Sequence, residues 1–189
     1  MYSEYSAQVP VGVIDEAFEQ LRIPLVLPTG AAAPCARTKV AVAEKAPVIR
    51  TVGRSMVAEL VEMRWSWPAV NGRPVYNFRA EGRGFPHGRC LIPADAYYER
   101  ASFAPEPKRM RVTDEPWFCI AGLWRSAGPL GDAFTMLTLP PVGAGASTRG
   151  RHLVVLERAD WPKWLDATVP ASACLKTIAS DRLQEEPLN

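Results

Sequence analysis

Phe85-Pro-His-Gly-Arg-Cys-Leu-Ile-Pro-Ala-Asp-Ala-Tyr-Tyr-Glu99 decides how this chain is read. It opens on a Pro-His-Gly turn signal, passes through an apolar stretch too short for a buried helix, and ends on a carboxylate. The same rhythm continues on both sides. From Leu60 to Leu156, short runs of β-branched and aromatic residues alternate with turn signals at Asn71-Gly72, Gly82 to Gly88 and Gly128 to Gly131. That spacing belongs to an antiparallel β core, not to βαβ units. Residues 38–42 and 48–52 are further strand candidates. Helices are expected at the periphery. Val11, Ile14, Phe18 and Leu21 recur at helical spacing and are stopped by Pro24 and Pro28. Residues 160–165 make a helical turn that tolerates Pro162 in its first turn, and 171–178 reads as another helix. The tail from Gln184 is expected to fray. The fold class is mainly β (α+β), an antiparallel barrel-like arrangement with peripheral helices, in one domain over residues 1–189.

Composition narrows the function. A chain of 189 residues, 48% hydrophobic, buries a substantial core. No run of about 18 apolar residues is present to cross a bilayer, and the acidic, Pro-interrupted start has neither the basic beginning nor the apolar core of a signal peptide. A cytoplasmic monomer is expected. Cys35, Cys90, Cys119 and Cys174 lie far apart without a C-x-x-C pair, which argues against a zinc ribbon or dithiol site; no metal or cofactor is expected. Cys90 and Cys119 read as small core residues. A net charge of +2 is too small for a bulk basic field. A polyanion site must come from clustered arginines: Arg64, Arg79, Arg83, Arg89 and Arg100, then Arg149 and Arg151.

Two polar residues stand out from the apolar runs around them. Asn77 follows Val75-Tyr76, where an amide either satisfies backbone groups or meets a substrate. Glu99 ends a run apolar enough to half-bury its carboxyl and raise its pKa toward a general-acid range, the alternative being a surface ion pair with a nearby arginine. Trp65 and Trp67, at strand alternation, share a face that Arg64 does not. One of the pair is expected in the core and one at the rim, with Trp67 as a base-stacking residue beside the Arg64 charge.

In order and spacing, Glu59-Leu-Val-Glu-Met-Arg-Trp65, Tyr76-Asn-Phe-Arg-Ala-Glu81, the opening run to Glu99, Pro116-Trp-Phe-Cys-Ile-Ala-Gly-Leu-Trp124 and Phe134-Thr-Met-Leu-Thr138 resemble the SOS response-associated peptidase (SRAP) family. The resemblance implies a terminal cysteine, exposed by removal of the initiator Met, that forms a thiazolidine with the aldehyde of an abasic site in single-stranded DNA. Around that cysteine the family places an Asn, a Glu and a His. The Asn carries over to Asn77, in a segment similar to Asn-x-Arg-x-Glu, and the Glu to Glu99, in one similar to Ile-Pro-Ala-Asp-Gly-Phe-Tyr-Glu. The arginine matching Arg79 contacts phosphate in the family, and Arg151 is retained. Two members do not carry over: Met1-Tyr2-Ser3-Glu4 has Tyr2 where the family has Cys, and Arg149 aligns with the His. His152 lies three places on, with a strand face opposite to that of Arg149 and Arg151, and His87 reads as a turn residue.

The leading expectation is therefore an SRAP-like protein that binds single-stranded or junction DNA, including abasic DNA, without the stable crosslink, and is nucleoid-associated when bound. Arg64, Trp67, Arg79, Arg149 and Arg151 are the expected DNA contacts, and Asn77 and Glu99 the remnant of the catalytic pocket. Two alternatives stand beside it. Tyr2 is too large for removal of Met1, so the Met1 amine, titrating near ~8, is placed to form a transient, hydrolysable imine. The other alternative is a non-catalytic protein-interaction module that keeps the fold only for its surface.

Overall fold

Short turn-to-turn units like residues 85–99 build two large sheets and a two-stranded one. The computed structural model describes residues 2–30, 32–51, 53, 56–100, 106–141 and 150–187. In chain order the main elements are β1 (Glu4–Ala7), α1 (Val11–Gln20), β2 (Leu25–Val26), β3 (Arg37–Ala41), β4 (Lys45–Thr51), β5 (Ala58–Trp65), β6 (Trp67–Pro68), β7 (Pro74–Val75) and β8 (Asn77–Arg79). They continue with β9 (Arg89–Ala94), β10 (Ala96–Glu99), β11 (Lys108–Val112), β12 (Phe118–Ser126), β13 (Asp132–Leu139), β14 (His152–Leu153), β15 (Val155–Leu156), α2 (Trp161–Leu165) and β16 (Leu183–Glu186).

The order β13-β12-β9-β4-β5 closes on itself, because β5 returns to pair with β13 at Ala133↔Arg64 and Phe134↔Trp65. Each other pair in this ring is antiparallel. A closed ring of five strands that alternates direction must contain one like-directed pair, which is why β5–β13 is parallel. Closure removes the exposed edges that an open sheet would present. The mainly β, barrel-like architecture is thus as the turn rhythm implies. A second sheet, β16-β11-β10-β1-β3, lies beside the barrel.

Strands β9, β12 and β13 are buried on both faces along most of their length. Leu91, Cys119, Ala121 and Leu137 face a core shared with Ile14 and Phe18 of α1 and Trp161 and Trp164 of α2. Cys90, Ile92, Ile120, Phe134 and Met136 face a second core shared with Tyr2, Tyr5 and Tyr97. Trp164 donates its indole N–H to the Cys90 carbonyl at 2.9 Å and so fixes α2 on β9. Where strands press closest, only glycine fits: a Cβ on Gly122 would lie 2.7 Å from Ile92 Cδ1 and 2.9 Å from Cys90 Sγ. Helix α1 buries Ile14, Ala17 and Phe18 and ends as Arg22 turns left-handed (φ 57), with Ile23 N–H bonded to the Phe18 carbonyl at 3.0 Å.

Three local expectations are corrected. Trp65 and Trp67 do not share a face, because Ser66 takes φ 98 and breaks the alternation, sending the two indoles into different cores. Between Pro170 and Ile178 the helical structure is one 3-10 turn, Ala171–Ala173, not a helix to 178. Ala171 and Cys174 pack in one core while Ile178 packs in the other, so the chain must leave the helical path. The tail is not frayed from Gln184: Leu183–Glu186 pairs with β11, where Glu185 meets Lys108 and Glu186 meets Arg109 and Arg111.

Candidate functional site

β10 and β1 run antiparallel with Tyr5 opposite Tyr97. Following β1 back toward residue 2 therefore leads toward the Glu99 end of β10. On β10 the period of two puts Tyr97 and Glu99 on one face. Separately, β8 lies parallel to β13 with Asn77 beside Met136. The three elements meet at Tyr2.

Tyr2 is 4% exposed. Its ring stands edge-on to Tyr97 at 5.4 Å, and its hydroxyl donates to the Arg151 carbonyl at 2.7 Å. The Glu99 carboxylate is near enough for its charge to act on the same phenol. Burial, with the Glu99 charge adding to it, pushes the phenol well above its ordinary range, so it stays neutral at any physiological pH. Asn77 donates Nδ2 to the Tyr2 carbonyl at 2.6 Å, while its Oδ1 is buried with no partner among the described residues. An unpaired buried acceptor costs about 1–3 kcal/mol, so Oδ1 is poised to take a donor. Asn77, Glu99 and residue 2 thus converge, and residue 2 brings a neutral phenol to the cleft.

The other sequence-chosen residues divide. Arg79 is exposed on β8 near Glu81, and its side chain makes no hydrogen bond or ion pair among the described residues. Arg151 grips the Glu81 carboxylate with two nitrogens, at 3.0 and 2.5 Å, and also bonds Thr138. Arg64 is turned to the β3–β4 corner, where it donates to the Ala43 carbonyl at 2.7 Å. Trp67 is not at the rim: it is 6% exposed, with the Arg125 guanidinium 4.7 Å over its ring. Trp65 is fully buried and donates to the Tyr76 carbonyl. His152 pairs with Leu139 while the adjacent Leu153 faces the Tyr2 core, so alternation keeps the imidazole off that face. His87 is exposed in its turn. Met1 and Arg149 lie outside the described residues.

No other nucleophile is offered by the barrel thiols. Cys90 and Cys119 are buried, and burial pushes both up, so neither forms a thiolate at neutral pH. Among the described residues, no group of three or more His, Cys, Asp or Glu side chains is placed to hold a metal ion. No helix there is long and apolar enough to cross a membrane. Sequence reasoning missed Tyr97 and Thr138 and gave Glu81 no role. The Tyr-x-Glu spacing of Tyr97 and Glu99 was the available signal, since a strand sets such pairs on one face.

A five-stranded closed barrel flanked by a second sheet is an architecture shared with solved structures. The chain is similar over 98% of its length to the whole of a solved protein from Bordetella bronchiseptica, at 23% identity and a TM-score of 0.69. It is similar over 96% to 90% of a protein from Bacteroides thetaiotaomicron, at 18% identity and a TM-score of 0.68. A phage-related protein from Bordetella bronchiseptica matches 98% of the chain with 93% of its own, at 16% identity and a TM-score of 0.67. Among curated proteins none matches the sequence. Residues 5–188 match the SOS response associated peptidase (SRAP) family, and the chain belongs to that family. Membership supports a DNA-damage-associated role in general terms.

Proposed function

We propose that this protein binds single-stranded DNA, at junctions and abasic sites, without forming a stable covalent crosslink. The observation that carries the reading is Tyr2. Residue 2 is held by Asn77 through its carbonyl, its phenol stands near Glu99 where the family resemblance puts a reactive cysteine, and burial keeps that phenol neutral. A thiazolidine needs an amine and a thiol on neighbouring carbons, and Tyr2 supplies no thiol. The polar partners of the cleft remain, so it retains the capacity to hold a backbone or nucleotide group. Arg79, exposed and unpaired among the described residues, supplies phosphate attraction at the rim. Arg149, aligned with the family's His, adds charge better suited to phosphate than to acid–base chemistry.

Fluorescence anisotropy with labelled single-stranded DNA over a salt series tests the binding. Affinity should be measurable at about 50 mM salt and fall steeply above it, because bound phosphates release counterions. No binding at that salt would favour a protein-interaction module built on the SRAP fold.

A further inference from the structure

Arg151 is a natural choice for a phosphate ligand by sequence, yet four of its five N–H donors are taken. Nε donates to Thr138 Oγ1 at 2.9 Å and a terminal nitrogen donates to the Thr138 carbonyl at 2.8 Å. The two terminal nitrogens also hold Glu81 Oε1 and Oε2, at 3.0 and 2.5 Å. Such a fork against a carboxylate fixes direction as well as distance. Thr138 is itself tied in, donating its hydroxyl to the Phe78 carbonyl at 3.2 Å and accepting the Ala80 N–H at 3.0 Å. The guanidinium therefore fastens the chain entering β14 to the end of β13 and to the segment leaving β8. Arg151's hydrogen bonds are also the chief reason the Glu81 carboxyl sits below its ordinary range, so the pair is intact at neutral pH. What this fastening fixes is a main-chain atom: the Arg151 carbonyl that accepts the Tyr2 hydroxyl at 2.7 Å.

We infer that Arg151 is a positioning residue: clamped by Glu81 and Thr138, it sets its own carbonyl as the acceptor that seats the Tyr2 phenol against Glu99, and it makes no phosphate contact. The DNA half of this statement rests on the proposed DNA-binding reading; the seating of Tyr2 does not. Phosphate attraction on this rim then falls to Arg79, whose side chain is free of the clamp.

Two readouts test the inference. The first is the salt slope for a labelled oligothymidylate, which drops by about 0.7 for each phosphate of a single strand that the protein no longer neutralises. Arg79→Ala should lower the slope by that amount and Arg151→Gln should leave it unchanged. The second is nitration by tetranitromethane, located by peptide mass. Tyr2 should be protected in the wild type and nitrated in Arg151→Gln. Arg151→Lys keeps the charge but loses the fork, and should behave like Arg151→Gln. Glu81→Gln removes the clamp while keeping Arg151, covers the case in which Arg151→Gln does not fold, and should also expose Tyr2. A slope reduced by about 0.7 in Arg151→Gln, or a Tyr2 still protected in folded Arg151 and Glu81 variants, overturns the inference. If the wild type binds no oligothymidylate, the DNA-binding reading fails, and the nitration pattern alone decides the positioning role.

Discussion

β9 and β10 are consecutive strands built to different rules. Every side chain of Arg89–Ala94 in β9 is buried, because cores press on both faces of the barrel wall. In β10, Tyr97 and Glu99 face the cleft and Tyr98 faces away. Past Arg89, whose guanidinium is met by carbonyls, β9 is a problem of volume, solved by the run 90–94 and by the absence of a side chain at Gly122, which faces Cys90. β10 is a problem of pairing: its half-buried terminal carboxyl lies opposite Lys108 of β11 and near the Tyr2 phenol. The barrel therefore holds its shape whatever the cleft does, and the cleft can change its chemistry without losing the fold.

Breaking the barrel should produce the largest effect. Trp65 is fully buried and packs on Tyr5, Tyr76 and Phe134. Trp65→Ala should cost about 3–5 kcal/mol, read as a lower denaturant midpoint. Gly122→Ala should cost about 1–3 kcal/mol by overpacking against Ile92 and Cys90. In the cleft, Tyr2→Ala should cost less than Trp65→Ala, within about 1–3 kcal/mol, and leave the barrel folded by circular dichroism. A Tyr2→Ala loss as large as that of Trp65→Ala would erase the distinction between wall and cleft.

Alkaline titration sharpens the comparison from the cleft side. Burial, with Glu99 adding, raises the Tyr2 and Tyr97 phenols, and burial raises Tyr5. In the unfolded chain phenols lose their protons near pH ~10, while in the folded chain these three keep theirs. Above that pH the unfolded state binds fewer protons, so stability that is complete below it falls as pH rises. Tyr2→Phe should make this fall shallower by up to about 1.4 kcal/mol per pH unit, measured by urea unfolding at successive pH values. An unchanged slope would mean that the phenol is not held neutral in the cleft.

The fold was legible where burial dictates the pattern. Short apolar runs between turns announced a β core, and Val11, Ile14 and Phe18 announced α1. The barrel-like form was expected with the family resemblance behind it, but the pairing that closes the ring, Ala133 with Arg64, joins residues far apart in sequence and leaves no local mark. The Trp65–Trp67 expectation failed at one dihedral, that of Ser66, which no neighbouring residue type signals. In the site, Asn77 and Glu99 were visible because a polar group interrupts an apolar run. The fate of Tyr2, and the clamping of Arg151 by Glu81, depend on partners brought from distant strands. An arginine read from sequence is a charge; whether it is free for phosphate is a tertiary fact.

At the small end, Arg79→Ala should change stability by no more than about 0.5 kcal/mol, since the side chain is exposed, while weakening single-stranded DNA binding. Loss of stability without loss of DNA affinity would reverse the roles given to Arg79 and Arg151.

The central claim, that a buried neutral phenol stands where crosslinking chemistry would need a thiol, is tested most directly by incubating the protein with abasic single-stranded DNA and resolving heated samples on a denaturing gel. Wild type should give no heat-stable adduct without borohydride and at most a reduced imine with it. Tyr2→Cys with Arg149→His, started at Met1, should recover some heat-stable product that Glu99→Ala diminishes. A heat-stable adduct from the unaltered protein in the absence of borohydride would contradict the account.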